Sequence, residues 1–472
     1  MQIQSKTHAT MKTLAGPGLA FAPAHFSGNI AGAKASLAPI SCRMRECPKV
    51  TGMNLIPAPQ PVPTTRLEVA AAIIGAGPVG ATLAAALAAR GVPVAVVDAA
   101  PLPPMELSSF DGRAYAIALA SKRLLERAGI WERLPSPPCP IEGIKVADGR
   151  VGEAPSSLDL DFEAAEVADE PFGWMIEARA LRVALNARLP HLAHLQAFAP
   201  MTAKVARDAE GATVTLADGR VIRARLVIGA EGRGSPLRQQ AGIGTVRHDY
   251  GQIGMVGAFA HEKPHNNRAL ELFLPAGPFA QLPLADLGSF GTSSLPHASS
   301  FVWTERRSVA MRMLALPDAD FARELRRRIG SHLGEIEPIG RRWHYPLTAM
   351  HATRYVAERL ALVGDAAHGM HPIAGQGLNI GFRDVTTLTD LVAEAFAAGE
   401  DVGSASLLAR YQAQRRPDAL MMIGATHVLE KLFGNDVGPV RWARRLGIAA
   451  VDRIPGLKRA FARQAMGLPL RG

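Results

Sequence analysis

The stretch LEVAAAIIGAGPVGATLAAALAARGVPVAVVDAA, residues 67–100, decides the fold. An apolar run stops at Gly75-Ala76-Gly77, an Ala/Leu-rich run follows as far as Gly91, and a second apolar run ends on Asp98. That order predicts strand, glycine turn, helix, stop and strand, a βαβ unit. Gly75, Gly77 and Gly80 have G-x-G-x-x-G spacing. The first glycine permits the tight turn, the second lets backbone approach a pyrophosphate, and the third lets helix and strand pack closely. Asp98, 18 residues beyond Gly80, is placed to accept hydrogen bonds from the ribose hydroxyls of an adenosine. The turn predicts an adenine dinucleotide but does not choose between NAD and FAD.

A second constellation makes that choice. An apolar strand, LALV, runs into GDAAHGMHPIAGQGLNIGFRD, residues 364–384. Asp365 at the strand end would accept from polyol hydroxyls, and a glycine loop opening a helix would present free backbone N–H donors to an anionic ring edge. Two further segments stand apart from it: Asp111-Gly112-Arg113, followed by AYAIALAS, and GAEGRGSPLR at 229–238.

Together these motifs resemble the ubiquinone-biosynthesis hydroxylases of the 2-polyprenylphenol hydroxylase type, within the single-component aromatic flavin monooxygenases. The resemblance runs from about residue 67 to the C-terminus, and HPIAGQG is its closest part. It implies that Asp365 binds the ribityl chain of FAD, and that Pro372, Gly375, Gly377, Leu378 and Asn379 form the isoalloxazine loop. Backbone N–H groups would face the pyrimidine oxygen, and the helix N-terminus would stabilise reduced flavin over its first turn. Arg113 would contact the FAD pyrophosphate, a bidentate task that suits guanidinium. Where the family carries Asp-Gly, this chain has Glu231-Gly232, whose extra methylene moves the carboxylate by roughly 1.5 Å. The resemblance assigns that acid to FAD and the nicotinamide donor. His368 and His371, beside glycines in a loop, read as packing or hydrogen-bonding residues rather than as acid–base groups.

The implied fold is α/β: a Rossmann-like FAD-binding domain with an interleaved antiparallel β-sheet substrate domain and a helical C-terminus. Residues 1–65 read as a disordered or targeting extension, poor in acids and without periodicity, or as sequence upstream of a start at Met53. FAD-binding parts are expected at 66–140, 178–247 and 351–400. Substrate-domain parts are expected at 141–177 and 248–350, and a helical region at 401–472. In detail, a helix is expected near 114–128, a hairpin at 144–151, helices at 178–189 and 379–398, and a mainly antiparallel sheet over 250–345.

Composition narrows the remaining choices. The chain has 472 residues, 48% of them hydrophobic, enough for a large core. No run of 18 or more uncharged apolar residues predicts a membrane-spanning helix. Cys42, Cys47 and Cys139 form neither a disulfide framework nor a zinc set, which suits a reducing compartment, the cytoplasm. The formal charge of +10 is concentrated late: from residue 411 onward eleven Lys/Arg face four Asp/Glu. Interleaved apolar residues make these basic amphipathic helices, which fit either an anionic inner-membrane surface or a solvated face packed on the main body. No aromatic platform points to nucleic acid.

The implied reaction uses NAD(P)H to reduce FAD, then O2, to hydroxylate a polyprenylated phenol or benzoquinone precursor. Subunits of a biosynthetic complex are the expected macromolecular partners. The cofactor carries the difficult chemistry, so no side-chain nucleophile is required and no catalytic residue is assigned. Two alternatives stay open: a monooxygenase of a small soluble aromatic acid, and a flavin-bound subunit without turnover.

Overall fold

The computed structural model describes residues 66–102, 110–153, 159–285, 293–371, 375–433, 451 and 453–468. The expectations for residues 1–65, for Pro372 and for the tail segment 434–450 lie outside these.

The first sheet has a parallel centre. Leu360–Leu362, Val221–Gly229, Arg66–Ile74, Val94–Val97 and Leu195–Phe198 lie side by side in that order, all parallel. In the central strands, at residues 69–73, 94–97, 226–228 and 360–362, the Ala, Val, Ile and Leu side chains are buried on both faces, as a sheet covered on both sides requires. The edge strand Leu195–Phe198 is partly exposed. The helix Pro78–Ala89 is apolar around its whole circumference and is buried from Gly80 to Ala88. It is therefore an interior helix, held between this sheet and the helix Gly377–Ala397.

The second sheet is mainly antiparallel. Its order is His368–Gly369, Ile336–Ala352, Thr245–His261, His297–Arg306, Gly277–Pro283, Arg268–Leu274, Gly143–Asp148 and Leu160–Glu163. Only the Gly143–Asp148 to Arg268–Leu274 pair is parallel. On its outer face Met255, Phe259, Phe279, Phe301 and Trp303 pack against Phe321, Leu325 and Ile329 of the helix Asp318–Ile329. The inner face carries Ala258, Ala260, Ala269 and Ala298, which pack toward Phe110, Ala114 and Ala116.

Two local expectations change. Ala114–Ala118 is a strand, not the start of a helix. It pairs with Gly173–Glu177, and the helix begins only at Leu119. Apolar AYAIA satisfies either state, and a partner strand 59 residues away decides it. The strand Gly143–Asp148 turns back through a longer connection than the 144–151 signal implies: the next strand, Leu160–Glu163, pairs with it antiparallel, and Arg268–Leu274 flanks its other edge in parallel.

Candidate FAD and substrate site

The glycine turn has the geometry its spacing predicts. Gly75 has φ +100°, and a Cβ there would lie 2.5 Å from Ala230 O. At Gly80 a Cβ would lie 2.0 Å from Gly75 O, so helix and strand touch backbone to backbone. Gly77 has an ordinary φ of −61°, and a Cβ on it would meet nothing within 4 Å. Of the three glycines it is the one that the protein's own packing does not require. Arg182 and Asn186 of the helix Ala178–Arg188 line the cleft beside it. No motif or periodicity marks this pair in the sequence. Asp98 closes the turn: Oδ2 accepts from Ala76 N at 2.6 Å and Oδ1 from Ala100 N at 2.8 Å. Each oxygen keeps acceptor capacity for a ribose hydroxyl.

The second motif meets the first through Val79. A Cβ on Gly381 would lie 2.8 Å from Val79 Cγ2, and one on Gly364 would lie 3.2 Å from Val79. Asp365 is about half exposed and pairs with Arg233 at 3.0 Å, while Arg233 also donates to Thr348 Oγ1 at 2.9 Å. The helix Gly377–Ala397 opens at the loop, so the N–H groups of Gly377, Leu378 and Asn379 precede its internal hydrogen-bond ladder. Gly377 has nothing within 4 Å of a notional Cβ, as at Gly77. Gly375 has φ +63° and approaches Ala116.

The Asn379 side chain has another task. Its Oδ1 accepts from Ala118 N and its Nδ2 donates to Ala116 O, both at 2.9 Å. It pins the short strand to the flavin-loop helix, so only its backbone remains for a ring.

Behind the loop, Asp384 is fully buried. Oδ2 accepts from Gly364 N at 2.9 Å and lies 2.6 Å from His368 Nε2, while Arg415 Nε donates to Oδ1 at 2.8 Å. Burial works to raise this carboxyl, but His368 and Arg415 hold it below the ordinary range. His368 is thus a bracket for the loop. His371 is different: it is fully buried, both ring nitrogens lack hydrogen-bond partners among the described residues, and burial pushes it down to about 4. A neutral imidazole with an unused donor and an unused acceptor, adjoining the loop, is the kind of group a bound ring would satisfy.

Arg113 and Glu231 are engaged within the protein. Arg113 Nε and Nη2 donate to Asp111 Oδ2 at 2.8 and 2.5 Å, and its guanidinium stacks 4.2 Å from the Trp343 ring. Burial opposes the charge, yet Asp111 and Tyr345 raise it further. The Asp-Gly-Arg segment therefore fastens the FAD layer to the strand Ile336–Ala352, where a Cβ on Gly112 would lie 2.3 Å from Arg341 O. Glu231 Oε2 accepts from Ser235 Oγ at 2.6 Å and Leu237 N at 3.1 Å; burial raises its carboxyl against those two bonds. Arg238, 1% exposed, ties this segment to the flavin motif by donating to Ala366 O at 2.8 Å.

A cleft of about 1350 Å³ lies elsewhere, on the outer side of the second sheet. Its arginines are paired, Arg268 with Asp161 and Glu163, Arg327 and Arg328 with Glu324. It is a salt-bridged surface away from the glycine turn.

Residues 68–426 match the family described as FAD binding domain. The chain is also 49% identical over 397 residues to ubiquinone hydroxylase UbiL of Rhodospirillum rubrum, covering 84% of this chain and 89% of that one. This chain belongs to the FAD-dependent hydroxylases. Another relative of these hydroxylases is the 3-demethoxyubiquinol 3-hydroxylase of Escherichia coli, 34% identical over 406 residues, with 84% and 98% covered. Among solved structures, p-nitrophenol 4-monooxygenase PnpA of Pseudomonas putida shares the fold at TM-score 0.65 and 16% identity, with 85% and 98% covered. As an FAD-dependent hydroxylase the chain is an α/β flavoprotein. Among its described residues, no helix is long and apolar enough to cross a membrane.

Proposed function

We propose that this hydroxylase adds oxygen to the aromatic ring of a polyprenylated phenol or benzoquinone precursor of ubiquinone, with NAD(P)H as electron donor. The observation that carries the reading is the inner face of the second sheet. Its three middle strands present Gly254, Val256 and Ala258, then Ser300, Val302 and Thr304, then Pro278, Ala280 and Leu282. These side chains are small and uncharged, which suits a ring with an apolar substituent better than an aromatic acid. The relatives named for ubiquinone hydroxylation support the same substrate class.

The residues present fit FAD. Gly77 and the N-terminus of Pro78–Ala89 would hold the pyrophosphate, Asp98 the ribose, Asp365 the ribityl chain, and the backbone of Gly377 to Asn379 the ring edge. The loop residue Pro372 and the acid Glu231 remain part of this proposal, the first beside the ring and the second toward the donor. When bound, FAD supplies electron transfer from NAD(P)H and the activation of O2. The chain's own residues orient the ring, exclude water and lock the loop through Asp384.

The C-terminal surface supports contact with an anionic membrane. Ile454, Leu457 and Phe461 are 52%, 40% and 52% exposed along the helix Pro455–Ala465, beside Arg453, Lys458, Arg459 and Arg463. A polyprenyl chain would be drawn from such a surface. The decisive experiment incubates purified holoenzyme with a short-chain 2-prenylphenol, NADH or NADPH, and labelled O2. A ring hydroxyl carrying the label is expected; NAD(P)H oxidation without labelled product refutes the reading.

A further inference from the structure

The second sheet carries a carboxyl that no described residue bonds. In Arg268–Leu274, Leu270, Leu272 and Leu274 pack outward. The two-residue period therefore turns Ala269, Glu271 and Phe273 to the inner face. Ala269 joins the cluster that holds Leu119, Met175 and Met466, whereas Phe273 joins Leu160 with Leu429 and Leu432 of the long helix Ala405–Phe433. Glu271 lies between the two clusters and belongs to neither. Strand register sets it in one row with Val146 on one side and Ala280, Val302, Val256 and Trp343 on the other. That row ends beneath Arg113, so it crosses the space between the C-terminal helices and the FAD layer.

Among the described residues Glu271 has no hydrogen-bond or ion-pair partner. Two polar atoms on the same face share that condition: Thr304 Oγ1, on a residue 1% exposed, and Gln252 Oε1, on a residue 7% exposed. Glu430 of the helix Ala405–Phe433 reaches the same end of the face, with Oε1 3.3 Å from Gln252 Nε2 and Oε2 3.8 Å from Lys431 Nζ. Buried polar atoms without partners destabilise a fold by ~1–3 kcal/mol each, so several on one face among small side chains point to a ligand with oxygens of its own.

Protein surrounds Glu271, and burial alone raises its carboxyl to about 7, yet its surface is still partly reachable. That combination fits a side chain lining an enclosed space. The acids facing it from neighbouring elements are Asp148 of the adjacent strand and Glu430; Lys145 projects to the other face and pairs with Asp159 at 2.6 Å.

We propose that Glu271 is the proton acceptor for the ring hydroxyl of the substrate. This role rests on the phenol-hydroxylase reading above. The phenolic O–H bond breaks, the proton passes to a carboxylate oxygen, and the electron pair stays on the ring oxygen. The ring carbons ortho and para to it become nucleophilic toward the oxygen that flavin and O2 supply. The attacked carbon then loses its proton to restore aromaticity, and Glu271 returns its proton to the product or solvent. The ring and NAD(P)H each give two electrons, and O2 takes four, leaving as ring hydroxyl and water. A phenol titrates near ~10 and an ordinary glutamate near ~4.3, so an acceptor at about 7 narrows the mismatch from roughly six units to three.

The test compares Glu271→Gln and Glu271→Leu with the wild-type, full-chain holoenzyme, using a short-chain 2-prenylphenol as probe. The first readout is turnover of that probe beside turnover of a ring-fluorinated analogue whose hydroxyl is already ionised at pH 8. Wild type is expected to use both, and both variants to keep the fluorinated analogue within about fivefold. The second is hydroxylated product from the unfluorinated phenol, expected to fall at least 30-fold in both variants while FAD content and flavin reduction by NAD(P)H stay within twofold. Wild-type kcat/KM should rise with pH through about 7, and this limb should vanish in Glu271→Gln. The leucine variant should also melt higher, which shows the fold intact. Turnover of the unfluorinated phenol within twofold of wild type in both variants overturns the role, as does an equal loss on both substrates. Oxidation of NAD(P)H by wild type without hydroxylated product from either substrate overturns the hydroxylase reading, whereas a fall confined to the variants bears on Glu271 alone.

Discussion

Replacing Gly77 by alanine separates what the glycine turn does for the fold from what it does for the cofactor. With φ −61° and nothing within 4 Å of the added methyl, the protein accommodates it. As the N-cap of Pro78–Ala89, alanine is a poorer residue than glycine, so apo stability should fall by no more than about 1 kcal/mol. The methyl instead fills the place where a pyrophosphate would approach the backbone. A weakening of about 30-fold, near 2 kcal/mol, is a reasonable size for one displaced close contact. At FAD equal to about 100 wild-type dissociation constants, ligand stabilisation is about 2.7 kcal/mol; weakened 30-fold it is about 0.8 kcal/mol. Thermal melts of apo and FAD-loaded protein read both quantities. Gly80→Ala is the control, because its Cβ would lie 2.0 Å from Gly75 O and the apo protein itself should be destabilised. An unchanged FAD-dependent shift in Gly77→Ala, or an apo loss as large as that of Gly80→Ala, would refute the assignment.

Four other outcomes are expected. Asp365→Ala should lose FAD while the apo melt changes by under about 1 kcal/mol, since its partner Arg233 is about half exposed and such pairs contribute little; gel filtration that retains full yellow colour contradicts it. Asp384→Ala leaves Arg415 and His368 buried without their shared acceptor and should destabilise by about 3–5 kcal/mol in denaturant titrations. Because its folded pKa is depressed, the advantage of wild type over Asp384→Asn should be full above about pH 4 and shrink as pH falls further. His371 has its folded pKa lowered to about 4, so the unfolded chain takes up this proton first as pH drops. Apo stability should decline between about pH 6.5 and 4 by up to about 3 kcal/mol from this residue, and His371→Phe should decline less. Leu457→Ser with Phe461→Ser should weaken co-sedimentation with anionic vesicles while sparing turnover of a short-chain phenol; unchanged sedimentation argues for a face turned to water.

The parts of this protein that were legible in the sequence are those that local chemistry imposes. Gly75 and Gly80 are needed because backbone approaches backbone, and that need leaves a fixed spacing. The apolar strands of the first sheet are buried on both faces and leave unbroken runs. What stayed hidden depends on partners far along the chain. Ala114–Ala118 becomes a strand through Gly173–Glu177 and through Asn379, which lies 261 residues from Ala118. The same contact removes the Asn379 side chain from the ring-binding set that the resemblance implied. Arg182 and Asn186 sit on an ordinary helix and gain meaning only from the cleft beside Gly77. Glu271 was concealed in ELFLPAGP, where a lone acid between leucines is indistinguishable from an edge residue until register shows which face it takes.

The departure at Glu231 gains a physical account from its surroundings. Its carboxylate turns toward the start of the short helix Pro236–Gln240, bonding Ser235 Oγ and Leu237 N. That helix holds Arg238 in place, and Arg238 in turn holds Ala366 O in the flavin motif. Glu231 thus acts on the cofactor loop through the protein interior, whatever its outward oxygen does toward a donor. The same logic applies to Asp384 and Asn379, which bind the loop from behind and from the side. Arg238, the strand Ala114–Ala118 and Arg415 therefore all tie into this motif, as a loop must be fixed if its backbone N–H groups are to face a ring without reorganising. Among the described residues, the groups left without hydrogen-bond partners, His371 beside that loop and Glu271 across the sheet face, are those that ligands would satisfy.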